Sequence, residues 1–125
     1  PVFRLADAYL MRAEAFHNLD DDESAKADIN MIRERAYGNT SANITAALVS
    51  DELILNERAR EFYYEGLRRT DLVRFGQFTD GSYIWQWKGG VYEGTQTGSH
   101  RNIYPIPADE VSANPNYNGQ NNPGY

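Results

Sequence analysis

The sequence predicts a mainly α-helical fold, with helical hairpins over residues 1–76 and a long ordered coil over residues 77–125 packed on them as one domain. Two observations predict it. Apolar residues recur at intervals of three and four through the first part, the period of an amphipathic helix. After Gly76 the chain becomes rich in Gly, Asn, Pro and aromatics and keeps no sustained period.

The first helix is expected over Phe3 to Asn18, with Leu5, Tyr9, Ala13 and Phe16 forming an apolar face that Ala6, Leu10 and Ala15 widen. Asp20, Asp21, Asp22 and Glu23 interrupt it. Acidic residues suit a helix start, and Asp22 is the expected cap of a second helix from about Glu23 to Ala36. Ala25, Ile29, Ile32 and Ala36 line that helix, and Gly38 with Asn39 stops it. Residues 39–50 read as a polar linker. Ser50 or Asp51 caps a third helix through about Glu65, whose face uses Ile54 or Leu55, Ala59, Phe62 and Tyr63. A short amphipathic stretch, Thr70 to Phe75, ends at Gly76.

Beyond Gly76, Ile103-Tyr104-Pro105-Ile106-Pro107 is barred from helix, because each proline disfavours helix in the residue before it. A single helical turn is expected to begin at Pro107, and Asn114 to Tyr125 reads as ordered coil. Tyr117 and Tyr125 are candidate anchors there, and Ile103, Ile106 and Val111 are expected to pack on the helices.

The first two helices carry small or aromatic residues at Tyr9, Ala13, Phe16, Ala25, Ile29 and Ile32. These offsets match a tetratricopeptide repeat, a helical hairpin of about 34 residues. Arg12 stands where that repeat usually has Leu, so the unit is degenerate.

Composition narrows function. The net charge of −6 disfavours nucleic acid as a partner. The absence of cysteine removes disulfides, thiolate metal sites and cysteine catalysis. The chain opens on a helical pattern without a signal peptide or start methionine, so a preceding portion of a longer chain is expected to carry any targeting signal.

The densest charge cluster joins Glu57, Arg58, Glu61, Glu65, Arg69, Asp71 and Arg74, with Arg68 between them. Glycoside hydrolysis needs two carboxylates opposed across a sugar. Carboxylates stacked at four-residue intervals on one helix and interleaved with Arg read instead as a structural ion network. No catalytic residue and no metal or cofactor site is expected. The acidic run 20–23 lacks the ligand spacing of a calcium loop. His17 and His100 lack metal spacing and are expected at the surface. Tyr83, Trp85, Trp87 and Tyr92 flank Lys88-Gly89-Gly90, in which Gly89-Gly90 reads as a turn. On an extended strand Trp85 and Trp87 would point the same way. Such rings can stack on sugars or pin the loop to the helices, and the scaffold role is the favoured one.

Three stretches together resemble the SusD/RagB family. The first is Arg4-Leu5-Ala6-Asp7-Ala8-Tyr9-Leu10-Met11-Arg12-Ala13-Glu14-Ala15, with Ile29-Asn30-Met31-Ile32-Arg33-Glu34-Arg35-Ala36 after it. The second is Asn56-Glu57-Arg58-Ala59-Arg60-Glu61-Phe62 with Glu65-Gly66-Leu67-Arg68-Arg69-Thr70-Asp71-Leu72-Val73-Arg74-Phe75-Gly76. The third is Tyr104-Pro105-Ile106-Pro107, Asn114-Pro115-Asn116 and the closing Gln120-Asn121-Asn122-Pro123-Gly124-Tyr125. An extra Asn after Gln120, and Phe75 where Trp is common, are departures. The Trp-x-Trp-Lys-Gly-Gly stretch also resembles many members.

The resemblance implies a surface lipoprotein of the outer membrane in Bacteroidetes-type bacteria. Such a protein is non-catalytic. It binds glycan, or sometimes peptide, for a SusC-like TonB-dependent transporter, and it meets the membrane only through a lipid anchor outside this chain. The resemblance implies tetratricopeptide-like hairpins as scaffold. Two other readings compete. A tetratricopeptide-type adaptor for protein segments leaves the aromatic, Pro-rich tail unexplained, and a glycan-cleaving enzyme lacks an opposed acid pair.

Overall fold

The structure, a computed structural model, describes residues 3–117 and 120–125. Pro1 and Val2 of the opening segment, and Asn118 and Gly119 of the tail read as ordered coil, lie outside the described residues. Helices α1 (Leu5–His17), α2 (Asp22–Tyr37), α3 (Asp51–Glu61), α4 (Arg68–Arg74) and α5 (Ala108–Ala113) follow in order, and no strand occurs among the described residues. The fold is therefore mainly α. The chain divides into two compact units, Pro1–Asp71 and Leu72–Tyr125, and the division falls inside α4.

In the first unit α1 and α2 form a hairpin across a short turn, and α1 also packs on α3. Short connections make consecutive helices antiparallel neighbours. Leu10 and Ala13 of α1, Ala25 and Ile29 of α2, and Ile54 of α3 have no exposed surface. Alanine at two of these positions lets helices approach closely, the packing that tetratricopeptide-like hairpins use. The buried face of α1 is centred on Ala6, Leu10 and Ala13, whereas Leu5 is 72% exposed. The expected face is thus rotated by about one position, because neighbouring apolar residues allow either centre. Tyr9 and Phe16 sit at its edge under the Arg12 guanidinium, 5.5 and 5.8 Å from their ring centres.

Turn chemistry sets the helix ends. Asp20 takes a left-handed conformation, φ 59°, so the cap falls on Asp21, whose carboxylate accepts from the Ser24 amide at 3.1 Å. Asp22, the expected cap, is instead the first residue of α2. Hydrogen bonding from Ser24, by its side chain first and then by its amide, lowers the Asp21 pKa. Gly38, φ 71°, closes α2 by donating to the Glu34 carbonyl at 2.8 Å. Ser50 caps α3 through its hydroxyl, which accepts from Leu53 at 3.2 Å.

Helix α3 stops at Glu61, not near Glu65. Phe62 leaves helical geometry and Tyr64 adopts φ 63°, so the polypeptide turns before α4. Tyr63, expected on the apolar face, is consequently 74% exposed. The polar linker is more organised than its composition suggests. Ile44 and Val49 are buried in it. The Asn30 amide donates to the Ile44 carbonyl at 3.0 Å and accepts from the Ile44 N–H at 2.8 Å, substituting for a backbone pair.

The second unit is mostly coil, with 3₁₀ turns at Lys88–Gly90, Ser99–Asn102 and Pro115–Tyr117 beside α5. Asparagine again replaces a sheet. The Asn121 amide donates to the Ile106 carbonyl at 3.0 Å and accepts from its N–H at 2.8 Å. Asn122 donates to the Tyr104 carbonyl at 2.7 Å, and the Tyr125 hydroxyl to the Ile103 carbonyl at 2.9 Å. Ile103, expected as a packing residue, is 58% exposed; its carbonyl is what the tail engages. No helix is long and apolar enough to cross a membrane among the described residues.

Candidate functional site

The aromatic loop is built around turns rather than a strand. Trp87 takes φ 67° and Gly89 φ 70°, so the backbone reverses there. The Trp87 N–H donates to the Tyr92 carbonyl at 3.2 Å, and the Thr95 N–H to the Lys88 carbonyl at 2.9 Å. Without an extended backbone, Trp85 and Trp87 do not share a face and keep different company. The Trp85 ring lies 6.3 Å from Phe78, 6.1 Å from Tyr83 and 4.6 Å from the Lys88 ammonium. Trp87 instead meets Tyr92 edge to face at 5.7 Å. Trp87 is 63% and Tyr92 56% exposed, against 37% for Trp85.

Glycine is required in this loop for two reasons. A Cβ at Gly89 would lie 2.6 Å from the Thr95 methyl, and one at Gly94 would lie 2.3 Å from the Trp85 carbonyl oxygen. Both residues also have positive φ, a region costly for residues with a Cβ. Gly89 and Gly94 are thus part of how the rings are placed.

In the first unit the charged cluster forms two hubs. Arg58 is buried, and its Nε lies 2.9 Å from both carboxylate oxygens of buried Asp71 while Nη1 reaches Asp7 at 2.8 Å. Arg4 binds the Glu61 carboxylate and carbonyl, both at 2.8 Å, and Glu65 at 2.7 Å. Arg4 and Arg58 each lie 5.1 Å from the centre of the Phe62 ring. Hydrogen bonds that Arg4 donates, first to Glu65 and then to Glu61, raise the Arg4 pKa. Glu61 also receives Arg35 at 2.5 Å, and Glu57 pairs with Arg33 and with Arg60.

Glu57, Arg58, Glu61, Glu65 and Asp71 therefore do converge, but not as a stack on one helix. Their partners Arg4, Asp7, Arg33 and Arg35 come from α1, α2 and the residue before α1, which i,i+4 spacing could not reveal. Arg69 and Arg74 are also engaged, and the Arg74 guanidinium lies 4.7 Å from the Phe75 ring. Arg12, the departure from the repeat pattern, makes a two-pronged pair with buried Asp28 at 2.7 and 2.6 Å. Each carboxylate of the hubs faces a guanidinium, the arrangement of a scaffold.

His17 and His100, expected at the surface, are half-buried and engaged. His17 lies 2.6 Å from Asp22, and His100 meets Tyr125 edge to face at 5.0 Å. Among the described residues no three His, Cys, Asp or Glu side chains group as metal ligands would.

Comparison with known proteins matches the model of the SusD family over residues 1–125. The chain is 48% identical over 125 residues to the starch-binding protein SusD of Bacteroides thetaiotaomicron, covering all of this chain and 21% of that protein. It is 34% identical over 117 residues to SusD-like protein P25 of Formosa agariphila, covering 91% of this chain and 22% of that one. The chain spans about a fifth of the length of these curated relatives.

Proposed function

The chain belongs to the SusD family, and on that premise we propose that it is part of a non-catalytic, surface-exposed outer-membrane lipoprotein that binds glycan and passes it to a TonB-dependent transporter. The observation that carries this reading is the uninterrupted match over residues 1–125 together with 48% identity to a protein whose name is starch-binding. The geometry is in keeping with binding rather than bond cleavage. The carboxylates of the charged cluster are held by guanidinium groups instead of standing opposed across an open cleft.

Within the aromatic loop the four rings divide. Tyr83 and Trp85 belong to the loop's own framework, and Trp87 with Tyr92 are the rings offered to ligand. A sugar presents CH groups that suit an aromatic face.

A glycan array on the full-length protein tests the reading, with co-purification of the transporter as its second arm. Retention of a defined class of glucan or other glycan, without release of reducing sugar on prolonged incubation, is expected. Sugar release that is lost in Glu65→Gln would replace the binding reading with a hydrolytic one. Trp87→Ala should weaken that glycan's binding by about two- to tenfold, the scale of one aromatic contact. Undiminished affinity would remove Trp87 from the ligand surface.

A further inference from the structure

Lys88 is 2% exposed, one of the largest fully buried side chains of the protein. An ammonium carries three donors, and a buried charge is tolerated only where its hydrogen bonds are met. Here the Nζ of Lys88 donates to the backbone carbonyls of Gln77 at 3.2 Å, Asp80 at 2.5 Å and Tyr83 at 2.5 Å. The Trp85 ring closes a further side at 4.6 Å, within the range of a cation–π contact. The acceptors recur every third residue, so residues 77–85 are wound around one positive charge. The Asp80 carboxylate, held by the Ser82 amide at 2.6 Å, adds a favourable field. Three converging carbonyls and an aromatic face are the surroundings that dehydrated monovalent cations and alkylammonium ions receive in proteins.

We propose that Lys88 is a built-in cation: the carbonyls of Gln77, Asp80 and Tyr83 with the Trp85 ring form a monovalent-cation site, filled by the protein's own ammonium, on which the conformation of residues 77–97 depends. The chain joins the occupant to the loop it organises. The Lys88 carbonyl accepts from Thr95, and the Thr97 N–H reaches the Thr79 carbonyl at 3.2 Å. Holding the charge in place therefore also holds the returning segment of the loop and sets Trp85 against Phe78 and Tyr83. The ligand class of the site is a small primary ammonium ion. Burial lowers the Lys88 pKa while Asp80 opposes that shift, as expected of a charge that its cage must compensate.

The first test uses the unmodified full-length protein. Under native conditions Lys88 should react with acetic anhydride at least about tenfold more slowly than the more accessible Lys26, and the difference should vanish in denaturant. Equal native reactivity overturns the proposal. The second test compares Lys88→Met with Lys88→Ala in full-length protein by near-ultraviolet circular dichroism and hydrogen exchange over residues 77–97. The methionine retains the apolar stem without the charge, so both variants should lose the aromatic signal and the loop protection. Butylammonium chloride should restore Lys88→Ala saturably, whereas tetramethylammonium chloride at equal ionic strength should not, since it has no N–H to give the carbonyls. A Lys88→Met protein with parental spectrum and protection, or a Lys88→Ala protein that no primary ammonium restores, shows that the stem and not the charge organises the loop.

Discussion

Replacing Arg58 by Met isolates the electrostatic part of the first unit's core. Methionine keeps much of the apolar stem and adapts to irregular space, while the guanidinium contact with the Phe62 ring is lost. What disappears is the guanidinium between Asp71 and Asp7. Asp71 is 3% exposed and loses the Nε that sits 2.9 Å from both of its oxygens. Asp7 is less buried and regains water more readily. Removing one partner of a buried pair costs about 3–5 kcal/mol, because a desolvated charge is left behind. The expected loss is near the low end, about 3 kcal/mol, since Asp71 has another interaction and Asp7 is partly hydrated. Chemical denaturation of the full-length protein reads this directly, provided the transition that reports on this unit is followed. Asp71→Asn should soften the effect, because it removes the charge that Arg58 neutralises. The double-mutant cycle should show a coupling of about 1–3 kcal/mol. A single-variant loss below about 1 kcal/mol, or a coupling near zero, would mean the pair is no stronger than an exposed one and would refute the argument.

Three further outcomes are expected. Ala13→Leu, at a position with no exposed surface, should overpack the α1–α2 contact and cost about 1–3 kcal/mol; an unchanged melting temperature would show the hairpin register to be wrong. Gly94→Ala must place a Cβ against the Trp85 carbonyl at φ 78°, so the left-handed strain alone costs about 1–2 kcal/mol and the near-ultraviolet signal of the Trp residues should change. Truncation after Gly98 should destabilise the full-length protein, and in the intact protein the Ile106 amide, bonded to Asn121 at 2.8 Å, should exchange slowly; immediate exchange over residues 103–125 with no stability lost would leave the tail without a structural role.

Helix existence was legible in the sequence because periodicity and punctuation agree. Leu10, Ala13, Ala25, Ile29 and Ile54 fall at helical spacing and are all fully buried. Gly38 stops α2 with the left-handed φ that only a residue without a Cβ adopts freely. Boundaries were less legible where two residues could serve. Of the consecutive acids 20–23, Asp20 spends itself on the turn and Asp21 on the cap. The run Phe62-Tyr63-Tyr64-Glu65 shows no breaker, yet the helix ends there. Arg4 binding the Glu61 carbonyl at 2.8 Å supplies a partner for a C-terminal carbonyl that the next turn would otherwise have used.

The charged and aromatic groups show the same limit from another side. Spacing along one helix can propose neighbours at three and four residues, so Glu61, Glu65 and Arg69 looked like a ladder. The actual partners of Glu61 are Arg4 and Arg35, which lie 57 and 26 residues away. Such pairs depend on which helix faces are buried, and that depends in turn on the one-position rotation of α1 that periodicity left open. The loop is a harder case. Trp-x-Trp-Lys-Gly-Gly offers alternating rings and a Gly-Gly turn, and nothing in its pattern marks the lysine as buried. Only the burial of Lys88 changes the reading, because a fully desolvated ammonium demands three acceptors and the nearest available ones are the chain's own carbonyls. The carbonyls of Gln77, Asp80 and Tyr83 turn toward that charge, and the backbone reverses at Trp87 and Gly89, where φ is positive. Trp85 is drawn onto the ammonium, and Trp87 is left at the reversal with Tyr92. On the proposal made for Lys88, the placement of the rings follows from where one buried charge finds its partners.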